Sequence, residues 1–233
     1  MHGQSLARFI VGVVGNVISL LLFLSPGPTF LRIWKNKSTE EFHPYPYLAS
    51  MMNCMFWVFY GLPVVHPDSI LVISINSTGL LLESIYLTLF LCFTTKKNRM
   101  IIAFFLLGEI ALFAVVAVFT LFCFHSHASR SMFVGIICVV CGIIMYGSPL
   151  SVIGQVIRSK NPEFMPFWVC LAGFLNGIVW FIYAFLKSVD PYIATGNGIG
   201  AAFGLFQLSV YVYYSVKAKR SDSVQVKEGE ILT

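Results

Sequence analysis

Residues 69–93 decide the fold, and they read SILVISINSTGLLLESIYLTLFLCF. The run carries one charged side chain, Glu83, and exceeds the roughly 20 apolar residues with which a helix crosses a bilayer. The rest of the 233-residue chain has the same character, since 58% of it is hydrophobic, 11% is charged and the mean hydropathy is +0.82. Soluble domains are about a quarter charged, so the composition nearly excludes a water-soluble enzyme.

Six further apolar stretches of similar length lie outside this run, separated by short polar breaks. The seven predicted spans are 8–31, 46–65, 69–93, 101–124, 131–157, 166–186 and 191–216. Together they predict an all-α membrane protein with seven transmembrane helices. Only seven residues precede the first span and no small-residue cleavage site follows it, which favours a retained helix over a signal peptide.

The basic residues predict the orientation in the membrane. Twelve of the fifteen Lys and Arg lie in the tail and in the loops after spans 1, 3 and 5, all on one side. Because basic loops stay cytoplasmic, we expect a cytosolic tail and an amino terminus that is extracellular or lumenal. The net charge of +5 then requires no nucleic-acid partner. We expect an integral, multi-pass protein of the plasma membrane or the vacuolar membrane.

The chain also matches itself when it is shifted by 121 to 123 residues. The matched pairs include Ser25-Pro26 with Ser148-Pro149, Asn53 with Asn176, Trp57 with Trp180, Tyr60 with Tyr183, and Asn76 with Asn197. Ordered matches across both halves indicate duplication of a three-helix unit. The fourth span has no counterpart. A three-span unit ends on the side opposite its start, so one extra span restores the orientation of the second copy.

This 3+1+3 plan predicts two parallel three-helix bundles joined by linker helix 4, with a site between them near the middle of the membrane. The expected units are a first repeat at 1–99, the linker helix at 100–128, a second repeat at 129–216 and a disordered cytosolic tail at 217–233. The six cysteines fall within or at the ends of spans, where packing is their expected role.

The chain resembles the SWEET family of sugar transporters, plant-like proteins built from two three-helix repeats of the PQ-loop type. The resemblance covers about 8–216. It rests on SPGPTF at 25–30, KNKSTEEF at 35–42, YGLP at 60–63, NSTG at 76–79, MYGSPLS at 145–151, EFMPF at 163–167, and the segment from DP at 190–191 to NG at 197–198. It implies a bidirectional uniporter that moves a mono- or disaccharide by alternating access, and it suggests homo- or hetero-oligomers with family members.

Asn76 and Asn197 are the first candidate substrate ligands, because they occupy equivalent places in spans 3 and 7. An amide buried in the hydrocarbon zone needs partners, and it offers both donors and an acceptor to sugar hydroxyls. A single Asn is commonly a structural link between helices. The symmetric pair favours a binding site, and the resemblance implies the same.

Trp57 and Trp180 form a second symmetric pair, set well inside their spans. A flat indole packs on the apolar C–H face of a sugar ring and keeps an N–H to donate, so a pocket role is favoured over interfacial anchoring. Related transporters often have a smaller residue at the position of Trp57, which implies a narrowed pocket for a monosaccharide such as glucose. Cys54 and Asn176 could line the same cavity or serve only in packing.

Other residues have roles that the resemblance implies. Pro26, Pro46, Pro149 and Pro166 resemble the proline tetrad of the family, whose kinks localise bending. The internal repeat pairs Pro44 rather than Pro46 with Pro166, which leaves the span 2 member open. Tyr60 and Asp190 resemble a latch at the extracellular gate. Asp190 could equally cap the helix that begins at Pro191, and both roles can hold at once.

Glu83 and Glu109 are the only acids deep in the spans, and neither has a counterpart in the other half. We see no relay of ionisable residues, so facilitated diffusion is favoured over proton coupling. No arrangement of catalytic or metal-binding residues is recognisable, so no enzyme, cofactor or metal is expected. The expected partners are a small sugar and membrane lipid. The alternatives are a proton-coupled amino-acid exporter of the PQ-loop type and a seven-helix receptor.

Overall fold

The structure is a computed structural model that describes the backbone of residues 2–145 and 147–231 and the side chains of 5–145 and 149–218. Nine α-helices form the described chain. They are α1 His2–Leu24, α2 Gly27–Asn36, α3 Tyr45–Gly61, α4 Ile70–Phe93, α5 Lys96–Cys123, α6 His127–Met145, α7 Gly147–Ser159, α8 Phe167–Phe185 and α9 Pro191–Ile231, with one 3₁₀ turn at Pro162–Phe164.

Seven transmembrane passages follow from these helices. Over the described residues, six segments are long and apolar enough to cross a membrane: Ser5–Asn36, Ile70–Phe93, Lys96–Cys123, His127–Ser159, Phe167–Phe185 and Pro191–Ala218. The seventh passage is α3, whose 17 residues span about 25 Å at 1.5 Å per residue. It is shorter than its predicted span because the chain turns after Gly61.

The two halves of the chain repeat the same packing. In the first half α1 and α3 both pack on α4, and in the second half α6 and α8 both pack on α9. Between the halves, α1 contacts α8 and α3 contacts α6. Exchanging each helix for its repeat counterpart leaves this pattern unchanged. The predicted pair of parallel three-helix bundles is therefore confirmed.

The linker helix α5 breaks the symmetry, because it packs on α3 of one half and α6 of the other. Ile102, Val116 and Thr120 face the bundles and are buried. Phe104 and Phe122 are 75% and 76% exposed on the opposite face, as expected for side chains that contact lipid. The linker thus holds the halves together from the outside.

The two sides of the membrane are distinguished below by the ends of the chain. The amino-terminal side carries the start of α1 and the loops 62–69, 124–126 and 186–190. The carboxy-terminal side carries the loops 37–44, 94–95 and 160–166, together with the end of α9.

Prolines mark helix starts in both halves. Span 1 is two helices, since α1 ends at Leu24 and α2 begins after Pro26. Span 5 is likewise divided between α6 and α7, with Pro149 in the first turn of α7; Tyr146 lies outside the described residues. Proline lacks an N–H, so it is tolerated where a helix begins.

The candidate hinges of spans 2 and 6 differ from the expected mid-helix kinks. Pro46 is the second residue of α3, and Pro44 is its N-cap. Pro166 is the N-cap of α8, so the structure pairs it with Pro44, as the internal repeat does.

The last helix is longer than the sequence indicates. A disordered tail is expected from residue 217, but α9 continues to Ile231. Half of residues 218–231 are Ala, Lys, Arg, Gln or Glu, and none is proline. These residues have good helix propensity, so the backbone can extend the helix beyond the apolar span.

Candidate substrate-binding site

A cavity of about 440 Å³ lies between the two bundles, within the usual size of small-molecule sites. Both halves supply its walls. The lining residues that matter for the argument are Ser19, Ser50, Asn53, Trp57, Asn76, Glu83, Gly142, Gly173, Asn176, Trp180, Asn197, Gly204 and Gln207. The symmetric asparagines and tryptophans thus face a shared interior space rather than lipid.

Asn76 and Asn197 have the same local geometry. The Nδ2 of Asn76 donates to the Val72 carbonyl at 2.9 Å, and the Nδ2 of Asn197 donates to the Ile193 carbonyl at 2.9 Å. Each bond reaches back one helical turn and fixes the direction of the amide. One N–H and the carbonyl oxygen of each amide remain for a ligand.

Trp180 is held by a hydrogen-bonded relay that crosses between the halves. Its Nε1 donates to the Ser19 hydroxyl at 3.1 Å, and that hydroxyl donates to the Asn176 Oδ1 at 2.6 Å. The indole also packs on Gly15, where an added Cβ would lie 2.9 Å from the ring. The relay therefore orients two predicted site residues through one that the sequence analysis missed.

Trp57 has a different environment from its counterpart. Its ring meets Tyr60 edge-on, with the centroids 5.4 Å apart, and lies close to Gly196 of α9. Gly142 occupies the position equivalent to Ser19, so no hydroxyl there can tie Trp57 to the opposite half.

Cys54 lies outside the cavity. It is fully buried and points at α4, where a Cβ on Gly79 would lie 2.8 Å from its Sγ. The neighbouring Asn53 lines the cavity instead. A helix turns by about 100° per residue, so a shift of one position moves a side chain from the wall into the helix interface. The internal pairing of Asn53 with Asn176 is the sequence signal that identifies this residue.

The amino-terminal side of the cavity is closed by a polar cluster. The Tyr60 hydroxyl donates to Asp190 Oδ2 at 2.8 Å, and both residues are buried. Asp190 Oδ1 accepts the backbone N–H groups of Tyr192 and Ile193 at 3.1 and 3.0 Å. The carboxylate thus caps α9 and bonds the tyrosine at the same time.

His66 and Ser131 belong to the same cluster, although the sequence analysis did not include them. The imidazole stacks on Tyr60 with the ring centroids 4.9 Å apart, and its Nε2 lies 3.3 Å from Asp190 Oδ2. Its Nδ1 lies 2.9 Å from the Ser131 hydroxyl. Burial lowers the pKa of His66 and outweighs the opposing effect of Asp190. The sequence spacing does not predict this contact, because only tertiary packing brings the loop 62–69 next to Asp190.

A second link closes the same side nearer to solvent. The Lys187 Nζ lies 2.7 Å from Asp68 Oδ2 and joins the loops of the two halves. The hydrogen bond from Lys187 lowers the pKa of Asp68. On the other side, the cavity lining continues along α9 to Gln207. The cavity is therefore closed toward the amino-terminal side and extends toward the carboxy-terminal side.

The described residues contain no group of three His, Cys, Asp or Glu that could hold a metal ion. All six cysteines are free.

The sequence matches a known family in both repeats. The model of the family MtN3_slv, described as sugar efflux transporter for intercellular exchange, matches residues 9–98 and 132–219. The chain is 53% identical over 217 residues to the bidirectional sugar transporter SWEET7 of Arabidopsis thaliana, covering 93% of this chain and 84% of that protein. It is 48% identical over 223 residues to SWEET7b of Oryza sativa subsp. japonica, covering 95% of this chain and 84% of the relative.

The fold matches a solved structure as well. The 3.7 Å structure of a eukaryotic SWEET transporter superposes with a TM-score of 0.86 at 40% sequence identity, covering 91% of this chain and 99% of that one. Duplicated bundles, an intervening linker helix and matches in both repeats together lead to one assignment: the chain belongs to the SWEET family of sugar transporters.

Proposed function

We propose that this chain is a bidirectional facilitative transporter of a small sugar, and that it works by alternating access. The observation that carries the proposal is the cavity, whose lining includes two amides and two indoles from the duplicated bundles. Relatives at about half identity are named bidirectional sugar transporters, which supports the same substrate class.

The chemistry of the walls suits a sugar. Asn76 and Asn197 exchange hydrogen bonds with hydroxyl groups, and their bonds to the preceding turns hold them in place before the substrate arrives. Trp57 and Trp180 cover the apolar faces of the ring. The bulk of Trp57 narrows the space, which favours a glucose-like monosaccharide over a disaccharide.

The closed cluster supplies the gate. Rocking of one bundle against the other separates Tyr60 from Asp190 and opens the amino-terminal side, while the carboxy-terminal side closes. Pro26, Pro44 or Pro46, Pro149 and Pro166 interrupt or begin helices in both halves, and these positions absorb the change in angle. No ion gradient enters the cycle, so the sugar moves down its own gradient in either direction.

The basic loops give the orientation. The amino-terminal side is extracellular or lumenal and the carboxy-terminal side is cytosolic, which makes Tyr60 and Asp190 the external gate. The plasma membrane is the proposed location, with the vacuolar membrane as the alternative. Each protomer has its own pathway, and homo- or hetero-oligomers assemble from complete units. The cycle involves no covalent chemistry.

Radiolabelled glucose flux in proteoliposomes without ion gradients tests the proposal. We expect the wild type to equilibrate glucose across the membrane. The Asn76→Ala and Asn197→Ala variants should lose about 80% of the flux or more, because an unsatisfied sugar hydroxyl costs about 1–3 kcal/mol. Accumulation of substrate against its gradient only when a proton gradient is imposed would instead indicate a coupled exporter. Undiminished flux in both variants would remove the assigned site.

A further inference from the structure

The cavity wall contains a second polar pair, Ser50 and Glu83, below the level of the asparagines. Both side chains line the cavity, Ser50 from α3 and Glu83 from α4. The glutamate is 4% exposed. Among the described residues, its Oε2 is buried and has no hydrogen-bond partner. A buried carboxyl oxygen without a donor costs free energy, so a ligand that supplies one would be stabilised there.

The pair lies at a different depth from the amide site. Glu83 follows Asn76 by seven residues on α4, which is two turns or about 10 Å toward the carboxy-terminal side. On the antiparallel helix α3, Ser50, Asn53 and Trp57 follow one another at spacings of three and four residues and so share a face. The Oδ1 of Asn53 is also buried without a partner within the described chain. Polar acceptors thus lead from Glu83 up to the tryptophan.

The second repeat has no side chains at the positions equivalent to Ser50 and Glu83. The repeat counterparts of Ser50 and Glu83 are Gly173 and Gly204, and both line the cavity. A Cβ at Gly204 would lie 2.8 Å from Phe174 Cα, so the close approach of α8 leaves no room for a side chain there. A Cβ at Gly173 would meet nothing within 4 Å. Glu83 therefore borders a part of the cavity where the second repeat contributes no side chain at the equivalent positions.

We propose that Glu83 and Ser50 form a second hydroxyl-binding subsite, which the sugar occupies between the paired asparagines and the carboxy-terminal side of the membrane. This proposal rests on the proposed transport of a sugar. A carboxyl group accepts hydrogen bonds from sugar hydroxyls, and its protonated form can also donate one. Only the first repeat supplies this subsite, so the two ends of the pathway hold the substrate differently.

Equilibrium binding of radiolabelled D-glucose and its monodeoxy analogues to the full chain in lipid nanodiscs tests the subsite. Glu83→Met keeps the side-chain length and removes the acceptor. We expect a dissociation constant about tenfold weaker for glucose, and about threefold weaker for Ser50→Ala. In the wild type, at least one deoxy analogue should bind about tenfold more weakly than glucose, and Glu83→Met should abolish that difference because the lost hydroxyl and the lost acceptor are partners.

Glu109→Met is the matched control, because Glu109 is the other acid within a span, also has a buried oxygen without a described partner, and does not line the cavity. Its glucose affinity should equal that of the wild type. If Glu83→Met does not fold, the same analogue series is measured on Ser50→Ala.

Two outcomes would overturn the subsite. In one, the ratio of analogue to glucose affinity is the same in the Glu83 or Ser50 variant as in the wild type. In the other, Glu83→Met binds all sugars normally but abolishes proton-driven flux, which would make Glu83 a proton site. Absence of glucose flux in the wild type would instead contradict the transport function itself.

Discussion

The two repeats share one backbone plan, but their polar contacts differ. At the cavity and at the gate, a hydroxyl group of the first repeat forms a hydrogen bond to the second repeat. Tyr60 donates to Asp190 at the gate, and Ser19 donates to Asn176 in the cavity. Duplication supplies the enclosed space, whereas later divergence decides which helices are tied together.

The equivalent positions on the other side do not form these links. Ser69 replaces Asp190, and its hydroxyl is buried without a partner among the described residues. Tyr183 replaces Tyr60 and instead has the Arg8 guanidinium over its ring at 4.6 Å. Gly142 replaces Ser19, and the Oδ1 of Asn53 has no described partner. The α1–α8 interface is therefore held by side-chain hydrogen bonds near the cavity, whereas the α3–α6 interface is not. Rocking of the two bundles meets more resistance at the α1–α8 interface than at the α3–α6 interface.

The largest effect is expected when a side chain of the first repeat is placed into the tight helix contact of the second. Gly177 is the counterpart of Cys54, and a Cβ there would lie 2.7 Å from the Ala201 backbone nitrogen. Gly177→Cys should lower the free energy of unfolding by about 3 kcal/mol, because backbone cannot move aside as a side chain can. Thermal unfolding in detergent measures the loss.

Gly173→Ser is the control for this substitution. Gly173 is the repeat counterpart of Ser50, so this substitution also introduces the residue type of the first repeat. A Cβ at Gly173 meets nothing within 4 Å. Equal stability of the two variants would contradict the close approach of the Ala201 backbone to Gly177.

The gate offers the next test. Tyr60→Phe retains the stacked ring but removes the hydroxyl from Asp190, and losing a bond to a charged group costs about 2 kcal/mol. We expect lower thermal stability and a larger population open at the amino-terminal side. The readout is faster labelling, from the amino-terminal side, of a cysteine introduced at Gly196 in a chain whose six native cysteines are replaced. Tyr183→Phe makes the same change in the other repeat, where the ring faces an arginine, and should leave labelling unchanged. Similar labelling in both variants would argue against a one-sided gate.

The relay of Ser19 can be removed or copied. Ser19→Ala makes the first repeat like the second and leaves Asn176 Oδ1 and Trp180 Nε1 unsatisfied, which should cost about 1.5 kcal/mol. Gly142→Ser makes the second repeat like the first. A Cβ there would lie 4.0 Å from Asn53 Oδ1 with no other atom as near, so the new hydroxyl can reach the amide and should add about 1 kcal/mol.

Glucose flux distinguishes the two variants. In Gly142→Ser, the added hydrogen bond at the α3–α6 interface should restrain the rocking motion and slow transport. A double variant with both substitutions should have its hydrogen bonds at the α3–α6 interface instead of the α1–α8 interface. It should recover part of the stability lost in Ser19→Ala. If glucose flux in Gly142→Ser equals that of the wild type, hydrogen bonds at the α3–α6 interface do not limit the rate of transport.

The smallest effect concerns an exposed ion pair that only the first repeat has. Arg32 Nε donates to Glu40 Oε1 at 3.0 Å, and the second repeat has Gln155 in place of the arginine. Hydrogen bonds from Asn36 and then Arg32 lower the pKa of Glu40 below its ordinary 4.5. The resulting stabilisation is present above that value and is lost as the pH falls through the lowered pKa.

Arg32→Gln makes this corner like the second repeat. The melting temperature of the wild type should therefore fall more steeply than that of the variant when the pH is lowered through this range. High salt should reduce the difference, since exposed pairs are screened. Parallel pH profiles in low salt would contradict this expectation.

Several features were predictable because they depend on periodicity and composition. The number of spans, the duplication, the linker helix and the cavity-facing asparagines and tryptophans follow from the chain. Ser19, His66 and Glu83 were not assigned to the site. Each of these side chains acts through a partner that is remote in sequence or on another helix, and no spacing rule connects such partners. Cys54 was a candidate for the cavity or for packing because it lies one turn from Trp57, but Asn53 also lies about one turn away, and spacing alone does not decide which of the two faces the cavity.

The amino-acid sequence alone determined that this chain lies in lipid, crosses the membrane seven times and consists of two like halves, because burial of apolar length and internal repetition are local properties. The tertiary structure alone decided which halves are tied by Ser19 and Tyr60, which wall of the cavity is polar, and which side is closed. Those outcomes depend on how closely helices approach one another. The distance between two helices depends on every side chain in their contact and is not encoded at any single position.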